Sequence, residues 1–269
     1  MIVTFWGVRG SVPSPGPNTI YYGGNTTCLT VETHSTFIII DAGTGIINVG
    51  PYVKKKNIKN LYILFTHYHW DHLQGLPFFN PIFDPNIEIE MFGKQNLRDI
   101  MSLQMKQPFF PADYKTLPSK IKHSKIDSVF NIDDITVETV ENNHPNGCLG
   151  MKFIRNNKSF VFMTDNEIFS PTDMVTPRDD FVRFAEGSDC LIHDAQYTEE
   201  DMLEKEGWGH STFSQAIELG MDAGVKDIVL THHDPMRKDR EIKRILEEER
   251  VKFPDQSISA GREFMSFEL

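Results

Sequence analysis

Leu61-Tyr62-Ile63-Leu64-Phe65-Thr66-His67-Tyr68-His69-Trp70-Asp71-His72 is the stretch around which the chain is organised. Leu61–Phe65 is an unbroken run of buried-type residues, read as a central strand covered on both faces. His67 and His69 lie two apart, so an extended backbone aims both imidazoles to one side. Asp71 and His72 follow where the strand must turn and can face a second point nearby. Imidazole and carboxylate without thiolate suit Zn, Mn or Fe rather than a structural cysteine cage. Three histidines and an aspartate in six residues at a strand mouth mark a metal site rather than a histidine-rich loop.

The other strands end in the same kind of residue. Thr36–Ile40 closes a hairpin begun by Cys28–Glu32, and Asp41 follows it. A carboxylate there is costly to bury unless hydrogen-bonded, so Asp41 is expected to orient a neighbouring site group. Ile135–Glu141 leads to His144, and Ser159–Met163 leads to Asp165. Cys190–Ile192 leads to His193 and Asp194, and Asp227–Thr231 leads to His232 and His233. Between them Gly207-Trp208-Gly209-His210 enters a helix that Ser211 or Thr212 can cap. Two Gly- and Pro-rich loops near the N-terminus hold Arg9 and Asn25, kept in view as substrate contacts.

Composition narrows the function. The 269 residues carry a formal net charge of −11, which argues against a broad grip on a nucleic-acid backbone. A small phosphorylated substrate stays compatible, because bound cations invert the local field. Three widely spaced cysteines, Cys28, Cys148 and Cys190, make no disulfide framework and read as small buried hydrophobes. The N-terminus lacks a basic region and cleavage site, and no apolar run approaches ~20 residues. A cytoplasmic protein off the membrane is expected. With no repeat, low-complexity segment or linker, residues 1–269 are read as a single hydrolase domain. Pro- and Phe-rich residues 107–118 read equally as a lid, a dimer surface or a cover for the core.

His67-x-His69-x-Asp71-His72 followed in order by His144, Asp165 and His232 closely resembles the metallo-β-lactamase superfamily. The resemblance runs from residue 2 to at least residue 235. It implies an α/β fold, an αββα sandwich of two mixed β-sheets with helices on the outer faces. It also implies two divalent metal ions, Zn²⁺ first and Mn²⁺ or Fe²⁺ as alternatives. By the likeness His67, His69 and His144 hold one ion, Asp71, His72 and His232 the other, and Asp165 bridges them. His233 competes for the last place; His232 is preferred because it directly follows Thr231. His193-Asp194-Ala195, Gly209-His210-Ser211-Thr212 and Leu230-Thr231-His232 are similar to the C-terminal half of ribonuclease Z and related phosphodiesterases. The N-terminal Gly7–Gly16 segment with Gly24-Asn25-Thr26 is more like the bacterial cyclic-phosphodiesterase group. Asn166 departs from the hydroxyl residue frequent after the bridging aspartate.

The expected chemistry is phosphodiester hydrolysis. Paired metal ions acidify a water and stabilise charge on a phosphoryl group. Asp71 can take the proton of that water. His210 is placed to protonate the leaving oxygen, with Asp194 holding its tautomer. Cyclic nucleotides or small cyclic phosphate esters are the expected substrates. tRNA 3′-end processing and a non-catalytic nucleotide-binding sensor are the alternatives. The family likeness favours a homodimer.

Overall fold

Strands whose successive side chains feed two different cores build the layers of this computed structural model, which describes residues 1–94, 96–172 and 174–269. One sheet contains β1 (Ile2–Gly7), β2 (Cys28–Glu32), β3 (Phe37–Ile40), β4 (Asn60–Leu64), β5 (Glu88–Gly93) and β6 (Lys120–Lys125). The other contains β7 (Val129–Ile132), β8 (Ile135–Asn142), β9 (Cys148–Arg155), β10 (Lys158–Met163), β11 (Cys190–Asp194), β12 (Asp227–Thr231) and β13 (Ser257–Ala260). A last strand, β14 (Ser266–Glu268), returns to the edge of the first sheet beside β1. The strand orders are β14-β1-β2-β3-β4-β5-β6 and β13-β12-β11-β10-β9-β8-β7. Both sheets are mixed. β3 to β6 run parallel, as do β10 to β13, while the hairpin strands pair antiparallel.

Side-chain alternation explains the layering. Ile38, Ile40 and Leu64 meet Phe160, Phe162, Ile192 and Val229 between the sheets. Their neighbours Phe37, Ile39, Leu61 and Ile63 face outward, under helix α1 (Ile46–Lys56). Val161, Met163, Leu191, Ile228 and Leu230 likewise face the opposite outer layer. The remaining helices are α2 (Trp70–Leu73), α3 (Leu97–Gln104), α4 (Arg178–Ala185), α5 (Glu199–Lys205), α6 (Phe213–Asp222) and α7 (Asp239–Lys252). Phe181 of α4, Phe213 and Ile217 of α6, and Ile242 and Ile245 of α7 cover the second sheet. This is the αββα sandwich that the resemblance implies. Fully burying one Ile or Phe in it contributes about 1.5–3 kcal/mol.

Local signals hold where they are strong. Thr212 caps α6 through a reciprocal pair with Gln215. The three cysteines are buried free thiols. β6 and β13 are the strands that sequence patterning passes over. β6 is an edge strand reading Lys-Ile-Lys-His-Ser-Lys, and Lys120 and Lys122 pair across to Glu88 and Glu90 of β5. Among the described residues no helix is long and apolar enough to cross a membrane.

Candidate metal centre

The parallel strands deliver the polar residues to one edge of the sandwich. Asp41 follows β3, Asp165 stands two residues after β10, and His232 follows β12. All three have positive φ, at 61°, 53° and 60°. A non-glycine residue in that region is uncommon and turns the chain abruptly. Each strand therefore stops extending where its ligand-type side chain must face sideways. β4 reaches the same edge, where His67 precedes the short helix α2, with His69 at its N-cap.

Two sets of potential ligands result. His67, His69 and His144 form one, and Asp71, His72, Asp165 and His232 the other, with the ligand atoms of each set within 4.8 Å of one another. Asp165 is the hinge between them. Its Oδ1 lies 3.7 Å from Nε2 of both His67 and His144. Its Oδ2 lies 3.1 Å from His72 Nε2 and 3.3 Å from His232 Nε2. Asp71 Oδ2 stands 3.2 Å from Nε2 of both His72 and His232.

The surrounding hydrogen bonds set the tautomers. His72 Nδ1 donates to Asp41 Oδ2 at 2.8 Å. Thr66 Oγ1 donates to the same oxygen at 2.8 Å and so accepts from His67 Nδ1 at 3.1 Å. His144 Nδ1 donates to the carbonyl of Gly209 at 3.0 Å. With each Nδ1 carrying the proton, each Nε2 presents a lone pair. His67 Nε2 and His72 Nε2 are buried and lack the alignment of a hydrogen bond. His144 Nε2 faces His69 Nδ1 at only 3.1 Å. Converging lone pairs without protons are what a cation would occupy, so the donor set fits divalent metal ions.

Electrostatics agree with that fit. Burial lowers the pKa of His67 and His69 and takes His144 down to about 4, leaving these rings neutral. Burial also opposes charge on His72 and His232. There, however, Asp71, Asp165 and Asp41 raise His72 well above the usual range, while Asp165, Asp194 and Asp71 raise His232 to about 10. The carboxylates around the second set demand positive charge, which a metal ion would supply in place of protons.

Beside the clusters His210 Nδ1 donates to Asp194 Oδ2 at 2.7 Å. Asp194 Oδ1 is fixed by the backbone amides of Gln196 and Ser211 at 3.1 and 3.2 Å. His210 lines an open pocket with Ser11, Tyr68, His69, Trp70, Asp71, His144 and Asp165. Glu167 holds the loop that carries His210. Its two carboxylate oxygens accept from the amides of Gly207 at 2.8 Å and Gly209 at 2.9 Å. Those glycines have φ of 86° and 88°, and a Cβ on Gly209 would meet His144 Nδ1 at 2.1 Å. Only glycine fits there.

The structure thus brings together His67, His69, Asp71, His72, His144, Asp165 and His232, with Asp194 and His210 alongside. It turns His233 away, with Nε2 donating to the Gly261 carbonyl at 2.9 Å. His193 is buried, bonded to the Asp194 carbonyl and Asn166. Asn166 takes up second-layer duties, accepting from the Asn143 amide at 3.0 Å and, through its carbonyl, from Ser211.

Arg9 and Asn25 are corrections. Arg9 is 0% exposed, and its guanidinium is spent on the carbonyls of Gly23, Asp234 and Arg237 and on Asp239. Asn25 donates its amide to Glu263. Both staple the N-terminal loops to the C-terminal part of the chain, and full burial takes Arg9 out of reach of a substrate. Ser11 and Glu167 were missed by sequence reading. The Ser11 amide donates to Asp71 Oδ2 at 2.8 Å. A backbone contact leaves no residue-type signal, whereas Glu167, two residues after Asp165, could have been suspected from position.

Comparisons with known proteins fit this geometry. A family profile described as a β-lactamase superfamily domain matches residues 36–233. The chain is similar to ribonuclease Z of Picrophilus torridus, at 25% identity over 99% of this chain and 95% of that protein. Ribonuclease Z of Clostridium acetobutylicum is 26% identical over 95% of this chain and 94% of its own length. Among solved structures, the metallo-β-lactamase fold protein YhfI from Bacillus subtilis matches with a TM-score of 0.74. The match has 15% identity and covers 100% of this chain and 99% of that one.

Proposed function

This chain belongs to the β-lactamase superfamily, and from that premise we propose that it is a metal-dependent phosphodiester hydrolase cutting RNA near its 3′ end, in the manner of ribonuclease Z. His67, His69, His144 and Asp165 Oδ1 would hold one divalent ion. Asp71, His72, His232 and Asp165 Oδ2 would hold the other. The all-oxygen-and-imidazole set suits Zn²⁺, with Mn²⁺ or Fe²⁺ as alternatives. Such ions supply Lewis acidity at phosphoryl oxygen and a more acidic water.

The chain's own groups do the rest. Asp71, anchored by the Ser11 amide, is the pocket carboxylate that accepts the proton of the attacking water. His210 carries a proton to the departing oxygen, and Asp194 fixes its ring. The Asp194–His210 pair is the observation that carries the reading. A proton donor beside a metal cluster serves a strongly basic leaving alkoxide and is superfluous for a good leaving group. It also counts against a mere nucleotide sensor.

The similarity to ribonuclease Z along nearly the whole length supports RNA better than the cyclic phosphates expected from the N-terminal segment and the charge. Small cyclic phosphodiesters remain the second reading, favoured by the net charge of −11. The test is turnover by metal-loaded protein of precursor tRNA with a 3′ trailer, beside 2′,3′- and 3′,5′-cyclic AMP. Trailer removal is expected. Hydrolysis of the cyclic esters alone would reverse the ranking, and no turnover of any of them would end the hydrolase reading.

A further inference from the structure

Trp70 sits between two potential metal ligands, His69 and Asp71, yet its side chain is 67% exposed. Leaving so large an apolar surface in water is unfavourable unless a ligand covers it. Trp70 and Tyr68 line the pocket of His210 and also a neighbouring groove of about 420 Å³. Leu73, Leu103, Gln104 and Phe109 complete that groove, which is mostly apolar. Phe109 is 77% exposed, so the groove has a free aromatic at its rim as well as one at its mouth. The Tyr68 hydroxyl donates to the Lys94 carbonyl at 2.8 Å, which fixes that wall.

Gln104 and the exposed Lys106 interrupt the apolar lining. Gln104 is 8% exposed, and its Nε2 donates to the Leu73 carbonyl at 2.6 Å. That bond settles which end of the amide is nitrogen. Oε1 is left a buried acceptor with no partner among the described residues. A flat heterocycle lying in the groove would cover both exposed aromatics.

We propose that this groove is a nucleobase subsite, stacking the base next to the scissile phosphate on Trp70. The proposal rests on the phosphodiesterase reading and names which part of the substrate the chain recognises. Continuity through Tyr68 and Trp70 places the groove beside the reacting phosphate, and aromatic side chains are sequence-tolerant stacking platforms for bases.

Calorimetry on the metal-loaded protein tests it without turnover, using AMP and methyl phosphate. Trp70→Leu should raise the Kd for AMP about 5- to 150-fold relative to methyl phosphate, with partial recovery in Trp70→Phe. Phe109→Ser, outside both candidate ligand sets, should also weaken AMP selectively. Equal weakening of AMP and methyl phosphate in Trp70→Leu would overturn the proposal, because the damage would lie at the metal cluster. Unchanged AMP affinity in Phe109→Ser together with a halved mass by light scattering would overturn it in favour of self-association through the groove. Hydrolysis of methyl p-nitrophenyl phosphate by the unaltered protein judges the phosphodiesterase reading separately, since that ester has no base.

Discussion

The imidazole of His210 is held by the buried carboxylate of Asp194, Nδ1 to Oδ2, across 2.7 Å. The bond leaves Nε2 as the nitrogen available to exchange a proton in the pocket. His210→Ala should therefore slow cleavage of a ribose phosphodiester by about 10²–10⁴-fold. Bis(p-nitrophenyl) phosphate, whose phenolate hardly needs protonating, should lose far less. Asp194→Asn should follow the same leaving-group pattern. Equal losses on both substrates, with metal content unchanged, would mean that His210 positions phosphate and that the acid lies elsewhere.

Metal content follows from the two-sided contact of Asp165. Protein loaded under defined conditions should approach two divalent ions per chain, and a chelator should abolish turnover. His67→Ala should lower the stoichiometry. Asp41 touches no candidate ion but orients His72 and, through Thr66, His67. Asp41→Asn should weaken metal affinity by about 10- to 100-fold, measured by chelator competition. Saturation at one ion in the unaltered protein would rule out the paired arrangement.

Glu167 is a positioning residue, acting through the Gly207 and Gly209 amides on the loop that carries His210. Glutamine keeps the size but can accept only one of those bonds well. Glu167→Gln should lower kcat for a ribose ester by about 10–10²-fold with little change in KM, since small displacements of a catalytic group are costly. The aryl ester should again be spared. A uniform loss on both esters, or a loss confined to thermal stability, would assign Glu167 a merely structural role.

Stability should vary with pH through Asp189, which immediately precedes β11 at the end away from the metal edge. Burial resists its ionisation, but Lys226, the Ser159 amide and Lys158 hold its pKa down from 3.8 to about 2. A lowered folded-state pKa means stability that is present above 3.8 and lost as pH falls towards about 2. The lysines are half to two-thirds exposed, so screening trims the effect. Asp189→Asn should cost about 1–2 kcal/mol at neutral pH in urea unfolding, and the gap should close by pH 2. A gap that persists unchanged at pH 2 would exclude the ionised carboxylate as its source.

Much of this protein is legible along the chain because the relevant signals are local. Phe37–Ile40, Leu61–Phe65 and Phe160–Met163 announce buried strands, and the residue types after them announce metal chemistry. Spacing alone put His67, His69, Asp71 and His72 into one site. A resemblance in the order of motifs added His144, Asp165 and His232. Even the choice between His232 and His233 was open to the argument that the residue directly after the strand faces the edge, although only the contacts of each ring decide it.

Long-range pairing was not legible, for a plain reason. Arg9 looks like a substrate hook beside a Gly- and Pro-rich loop, but its partners at Asp234, Arg237 and Asp239 lie more than 220 residues away. No local pattern says that a cation will be buried among carbonyls contributed by the other end of the chain. Charged β6 hides from periodicity because its pairing depends on Glu88 and Glu90 of a neighbouring strand. By itself the sequence determined the buried strands, the ligand types and the strand ends that bear them, since backbone periodicity and residue chemistry are properties of short segments. Tertiary structure alone decided the sharing of Asp165 between two ligand sets, the grip of Glu167 on the His210 loop and the exposure of Trp70 over an apolar groove. Those depend on where separate strand ends meet in space, and distances between them are fixed only when both sheets close on their common core.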